Sequence, residues 1–202
     1  MEPGELNCPQ CGAAVSVSLR YSKLVVCGSC QSTLFLEDES VVNAGIRSSL
    51  VKDPSLLQLG QTFTYKTWTF TPLGRVRFEY EGGYWDEWWV LLDTGKGQWI
   101  SVDEGDFAIE IPKRIDNPPS LQDLRVGEMV QLAGQKLKVT ERHRATCTGF
   151  EGELPEVNFP GDVHDYVHFS GPRGLIVTGE WFKGERQFFE GRWVDPFEIK
   201  SV

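Results

Sequence analysis

The chain has 202 residues, 40% hydrophobic and 12% aromatic, enough apolar mass to bury a core in one to three small domains, which excludes wholesale disorder. Its 20 basic and 29 acidic residues leave a formal charge of −9, which makes a phosphate backbone or an anionic lipid surface a poor default partner. The opening MEPGELNCPQCG lacks the basic and apolar regions of a signal peptide, and no apolar run approaches the ~20 residues of a membrane span. The expectation is a cytoplasmic protein with no transmembrane segment, whose reduced cysteines serve as ligands.

Cys8, Cys11, Cys27 and Cys30 form C-x2-C-x15-C-x2-C, the spacing of a four-thiolate zinc site. Two residues between cysteines let a tight knuckle aim both sulfurs at one ion, and two knuckles complete a tetrahedron. Gly12 and Gly28 follow the second and third cysteines, where a knuckle asks for positive φ. In AAVSVSLRYSKLVV, Val15, Val17 and Leu19 alternate with Ser16 and Ser18, which predicts a strand, a turn at Tyr21-Ser22-Lys23 and a return strand LVV. STLFLE adds a third strand. Residues 6–37 thus read as a zinc ribbon of the CPxCG…CxxC type, within a segment 1–37, holding a structural Zn2+ with no open coordination position. Redox-active dithiols or an oxidised staple are the competing readings, but no βαβ context accompanies them.

A linker, 38–54, follows, in which SVVNAGIRSSLV has room for a short helix. Beyond it the chain is short strands: TFTYKTWTF, RVRFEYE, WWVLLD, QWISVD and FAIEI. Turn signals punctuate them at Pro72-Leu73-Gly74, Gly82-Gly83 and Thr94-Gly95-Lys96-Gly97. DNPPS, residues 116–120, divides a first β-unit, 55–115, from a second, 120–202. The second reads as a degenerate repeat of the first: LLQLGQTFTY is echoed by LRVGEMVQL, Glu81-Gly82 by Glu151-Gly152, and VLLDTGKGQWI by VHFSGPRGLIV. The second unit ends in an additional pair of strands, QFFEGRW and FEIKSV. The expected fold is all-β: a small ribbon followed by two related small β-barrel or sandwich units.

EGGYWDEWWVLLD is the densest aromatic stretch. As a strand it places Tyr84, Asp86, Trp88, Val90 and Leu92 on one face and Trp85, Glu87, Trp89, Leu91 and Asp93 on the other. Core packing is the simplest account, since indoles bury large areas. The functional alternative is an exposed groove, with Tyr84, Trp85, Trp88 and Trp89 as partner-binding candidates. Asp86 and Glu87 point to opposite faces and cannot act on one substrate, and Asp103-Glu104 reads as a loop pair.

His143 and Cys147, four apart on a strand, form a conceivable nucleophile pair, but no oxyanion hole or third group accompanies them; an inert buried thiol is the plainer reading. His164 and His168, with Asp162 and Asp165 nearby, form a weak candidate for a second metal site. Lys136, Lys138, Arg142 and Arg144 make a basic strip, and Arg75 and Arg77 share a strand face; solvated faces are the plainer account of both. No glycine-rich phosphate loop precedes a helix, and no hydrolase or kinase signature occurs.

LGQTFTY…EGGYWDEWWVLLD…GQWISV resembles a bacterial domain of unknown function whose members show a G-x-x-F opening, an EGG-x-W-x-EW-x-L strand and a W-[IL]-S strand, often in tandem copies and sometimes behind a zinc ribbon. The resemblance covers residues 55–110 well and 120–200 weakly, the second stretch lacking the W-x-EW core. It implies a genomic context of polyamine-synthesis genes and small membrane proteins, and no reaction. The expectation is a non-enzymatic zinc-binding adaptor or accessory protein whose Trp-rich β-surface binds an unidentified protein partner or a ligand. The alternatives are a nucleic-acid-binding zinc-ribbon protein and an enzyme with a carboxylate or Cys/His site.

Overall fold

A computed structural model describes residues 4–18, 21–36, 41–51 and 53–202. Leu19, Glu37 and Ser40, at the ends of expected elements, lie outside these.

The N-terminal ribbon is built from two hairpins: β1 (Gly4–Asn7) pairs with β2 (Ala14–Val17), and β3 (Leu24–Val26) with β4 (Ser32–Leu36). Among the described residues AVSV and LVV do not pair with each other as expected; each strand pairs instead across its own CxxC knuckle. SVVNAGIRSSLV holds no helix among its described residues. Its Val41–Arg47 is a strand, β5, along β4, so this part of the expected linker extends the ribbon sheet.

The remaining strands are β6 (Phe63–Tyr65), β7 (Trp68–Tyr80), β8 (Gly83–Leu92), β9 (Gly97–Asp103), β10 (Asp106–Pro112), β11 (Met129–Leu132), β12 (Gln135–Leu154), β13 (Val163–Ser170), β14 (Leu175–Phe182), β15 (Glu185–Val194) and β16 (Ile199–Ser201). The all-β expectation holds, but the two halves do not close separately. The β7–β10 meander joins the β12–β15 meander twice, through β10–β15 and through β7–β12, to make one eight-stranded antiparallel barrel. Sharing one barrel removes the open edges that two four-stranded sheets would expose. The expected C-terminal strand pair also separates: β15 closes the barrel on β10, while β16 crosses back to β6.

Corresponding positions in the halves match in part. Gly60 N–H donates to Pro72 O (2.9 Å) and Gly127 N–H to Val139 O (2.8 Å), both 67 residues apart, and both glycines have positive φ. The Glu81-Gly82 anchor is different. It forms the β7–β8 turn, whereas Glu151-Gly152 lies inside β12, paired with Arg75 and Gly74. Pro72-Leu73-Gly74 is likewise no turn but a bulge within β7.

Apolar clusters lie outside the barrel wall. On the first half, Trp88, Val90, Ile100 and Phe107 pack beneath Leu57, Phe63 and Ile199. On the second, Val139, Val167, Phe169 and Val177 pack beneath Leu124 and Leu132. Each meander therefore buries its outer face under the segment that precedes it, with β16 returning from the C-terminal end to add Ile199 to the cover of the first. The opposite side chains turn inward: Trp85 of β8 meets Tyr166 of β13 at 4.8 Å between centroids, although these strands are not neighbours.

β12, at 20 residues, runs beyond the barrel and pairs through Glu153 and Leu154 with Val25 and Leu24 of β3. Leu24, Val26 and Phe35 of the ribbon share a cluster with Val76, Trp89 and Trp99, so the ribbon packs against inward-facing indoles at one end of the barrel.

Candidate metal centre and barrel cavity

The four ribbon sulfurs lie within 4.8 Å of one another, with Cys8 to Cys30 and Cys11 to Cys27 each at 3.7 Å. A disulfide needs about 2.05 Å. A tetrahedron with metal–sulfur bonds of about 2.3 Å has edges of about 3.8 Å, so the spacing fits one closed four-thiolate ion. The two knuckles are built alike: Cys8 N–H donates to Ala13 O and Cys27 N–H to Ser32 O, while Gly12 and Gln31 N–H donate back to Cys8 and Cys27 O. The positive-φ positions are thus Gly12 (75°) and Gln31 (60°), not Gly12 and Gly28; the turn that needs left-handed backbone follows the last cysteine of each knuckle.

Of the partner-binding candidates, Trp85, Trp88 and Trp89 are buried and only Tyr84 is exposed. Trp88 belongs to the outer apolar cluster, Trp89 packs on Trp99 (4.9 Å), and Trp85 stacks on Phe78 (5.2 Å). The expected Trp-rich surface is therefore interior, because strands flanked by apolar material on both sides of the wall bury both faces. Tyr84 covers Arg77, whose guanidinium carbon sits 3.8 Å from its ring centroid.

Asp86 and Glu87 do diverge. Asp86 turns outward and takes Arg77 Nε (2.7 Å), Arg77 NH2 (2.9 Å) and Arg75 NH1 (3.1 Å), and Arg75 reaches Glu151 (2.7 Å) as well. Both arginines are buried and ion-paired, so they form no open basic face. Asp53 joins through Arg77, which holds its carboxyl below the usual range.

Glu87 turns inward, into a cavity of about 430 Å³. That volume lies within the range of small-ligand sites, and an eight-stranded barrel is wide enough to hold one such ligand. Its walls carry Phe78, Trp99, Phe182 and Phe189 beside Glu87, Glu110, Glu180 and His164. Burial holds the Glu87 carboxyl well above the usual range, although Trp85 Nε1 donates to it at 3.0 Å. Burial also raises Glu110, which accepts from Thr178 Oγ1 at 2.8 Å. Glu180 is pushed up to about 8 by burial, then by the like charges of Glu156 and Glu110. Burial lowers His164 to about 4, and its Nε2 has no protein partner. These glutamates follow the strand alternation of EYEGGYWDE, FAIEI and LIVTGE, yet outward and inward faces are both partly apolar, so periodicity alone does not single them out.

Beyond Trp85 and Tyr166 lies a second polar group. Tyr166 Oη donates to Glu141 (2.5 Å), His168 Nδ1 is 3.1 Å from the same carboxylate, and Tyr80 Oη donates to Asp103 (3.2 Å). His168 holds the Glu141 carboxyl below its usual range. His164 and His168 share the inward face of β13 but do not converge; among the described residues only the four cysteines gather as a metal-binding group. Cys147 is buried in the ribbon–barrel cluster, which pushes its thiol up to about 12, while His143 is exposed. Exposed Arg144 lies 3.3 Å from Asp165 and Arg142 NH1 donates to Leu124 O (2.8 Å), so half of the basic strip is engaged locally.

Residues 58–196 match a family model described as a domain of unknown function, DUF4178, in one continuous stretch that spans both meanders. No curated protein and no solved structure showed a match to the chain. Among the described residues, no helix is long and apolar enough to cross a membrane, which says nothing of strands.

Proposed function

The chain belongs to the DUF4178 family, and we propose that this member is a non-enzymatic binding module: a zinc-stabilised ribbon fixed to a barrel that holds a small ligand in its interior. One observation carries the reading. Two large apolar clusters sit outside the barrel wall, and between the inward-facing aromatic clusters the lumen keeps a cavity of about 430 Å³ lined by glutamates, a histidine and aromatic rings. Buried carboxylates weaken a fold unless something meets them, so a lumen of this kind serves binding more than stability.

Zinc is the ion that best suits four thiolates in a closed tetrahedron, and its role is structural. The candidate catalytic groups support the absence of a reaction. Asp86 is locked between two arginines, and Cys147 is a buried thiol whose ionisation burial and the nearby Asp162 charge disfavour. An adaptor role through the indoles loses its basis once those rings are interior, and ligand capture replaces it.

Native mass spectrometry of protein purified from its own host tests the cavity reading. Gln187 is exposed at the cavity edge, so Gln187→Trp is the blocking change, its fold checked by circular dichroism. A small-molecule adduct on the native chain and none on the variant is the expected result. No adduct, and no melting shift from a broad compound panel that Gln187→Trp abolishes, ends the reading.

A further inference from the structure

Among the described residues six carboxylates line the cavity, Glu87, Glu110, Glu156, Asp162, Glu180 and Glu185, beside one lining ammonium, that of Lys23. Asp162 is already met by Lys183 at 3.0 Å. His164 is only 7% exposed, lines the same space and leaves Nε2 without a partner. A polar atom so deeply buried costs free energy unless a ligand or water meets it.

The carboxylates come from different parts of the wall: Glu87 from β8, Glu110 from β10, Glu180 from β14. No three of them bring oxygens within reach of one ion; among the described residues only the cysteines achieve that convergence. A single metal ion therefore cannot satisfy this lining. Phe78, Trp99, Phe182 and Phe189 supply apolar faces between the charges, suited to methylene groups and to cations over a ring.

Resting on the reading of the cavity as a ligand site, we propose that it takes a flexible organic cation bearing two or more ammonium groups separated by hydrocarbon. Glu87, Glu110 and Glu180 receive the ammonium groups, and His164 Nε2 accepts one N–H. The aromatic walls cover the carbon chain. Burial disfavours the ionised form of these glutamates, and an ammonium group beside them favours it.

Isothermal titration of the full chain with α,ω-diaminoalkanes of three to ten carbons tests this, with monoamines of equal length and Mg2+ as controls. The expected result is an optimum chain length, at least tenfold preference over the monoamine, and at least tenfold loss in Glu110→Gln with Glu180→Gln. The single Glu180→Gln variant gives the same readout if the double variant fails to fold. Equal affinity in the variants assigns binding to the acidic surface and overturns the proposal. So does equal affinity for the monoamine or Mg2+. If neutral or anionic compounds bind instead, and Gln187→Trp blocks them, the ammonium inference falls while the cavity reading stands. If nothing of any class responds to Gln187→Trp, both fall.

Discussion

Gly74 and Gly152 pair across the β7–β12 seam, where neither has room for a methyl group. A Cβ on Gly74 would sit 2.2 Å from Glu153 O, and one on Gly152 would sit 2.1 Å from Leu73 O. Gly152 also has φ of 74°. The two strands meet here backbone against backbone.

Gly152→Ala should therefore cost about 2–4 kcal/mol, combining overpacking with left-handed strain. For a chain of this size that lowers the melting temperature by roughly 5–15 °C. Gly184→Ala is the control, with φ of 86° and open space around it, and should cost about 1–2 kcal/mol. Thermal melts followed by circular dichroism compare the two; equal losses would show that the seam is not tight.

Trp88→Ala should destabilise the fold by about 3–5 kcal/mol, as loss of a buried indole does. Tyr84→Ala, at an exposed ring, should cost about 1 kcal/mol. Urea titration measures both. A Trp88→Ala protein as stable as the parent would restore the indoles as a binding surface.

Metal analysis should find one zinc per chain, and a strong chelator should unfold the ribbon while the barrel persists. Hydrogen exchange resolves this by segment: protection is lost over β1–β5 and kept over β7–β10. Small ribbons of this kind draw most of their folding free energy from the ion. Retained protection in metal-free protein would refute the metal centre.

Stability should depend on pH through Glu180. Its folded pKa of about 8 lies above the ordinary 4.5, so the folded state binds the proton more tightly. That contribution is fully present below 4.5 and is lost as pH rises toward 8. The neighbours that raise it, Glu156 and Glu110, act in the same direction. His164, lowered to about 4, works the other way: its contribution is present above 6.5 and fades as pH falls toward 4. Glu180→Gln should flatten the decline between pH 4.5 and 8, and a parallel melting profile in the variant would contradict the shift.

The cysteine spacing and strand alternation were legible because each is a local pattern. C-x2-C fixes a knuckle within four residues, and the alternation correctly sent Asp86 and Glu87 to opposite faces. Closure was not legible, because the β7–β12 and β10–β15 pairings join residues 67–87 positions apart and no local signal marks an edge that finds a partner. The Trp-rich strand was legible as core packing, but its exposed-groove alternative stayed open for a related reason. Indoles suit a surface hot spot and a core equally, and only the covering segments at Leu57 and Phe63, with the ribbon at Leu24, decide between them. The lumen glutamates were hidden because a strand with apolar groups on both faces shows no polar side to read.

β12 is a single beam with one end in the barrel wall and the other in the ribbon, where Leu154 O accepts from Lys23 N–H at 3.0 Å. Lys23 also lines the cavity, where its ammonium faces the glutamates. Whatever orders the ribbon therefore sets a counter-charge at the mouth, so stripping the sulfur cage should change how the lumen takes a cation, and by reciprocity a lumen ligand should change metal affinity by the same factor.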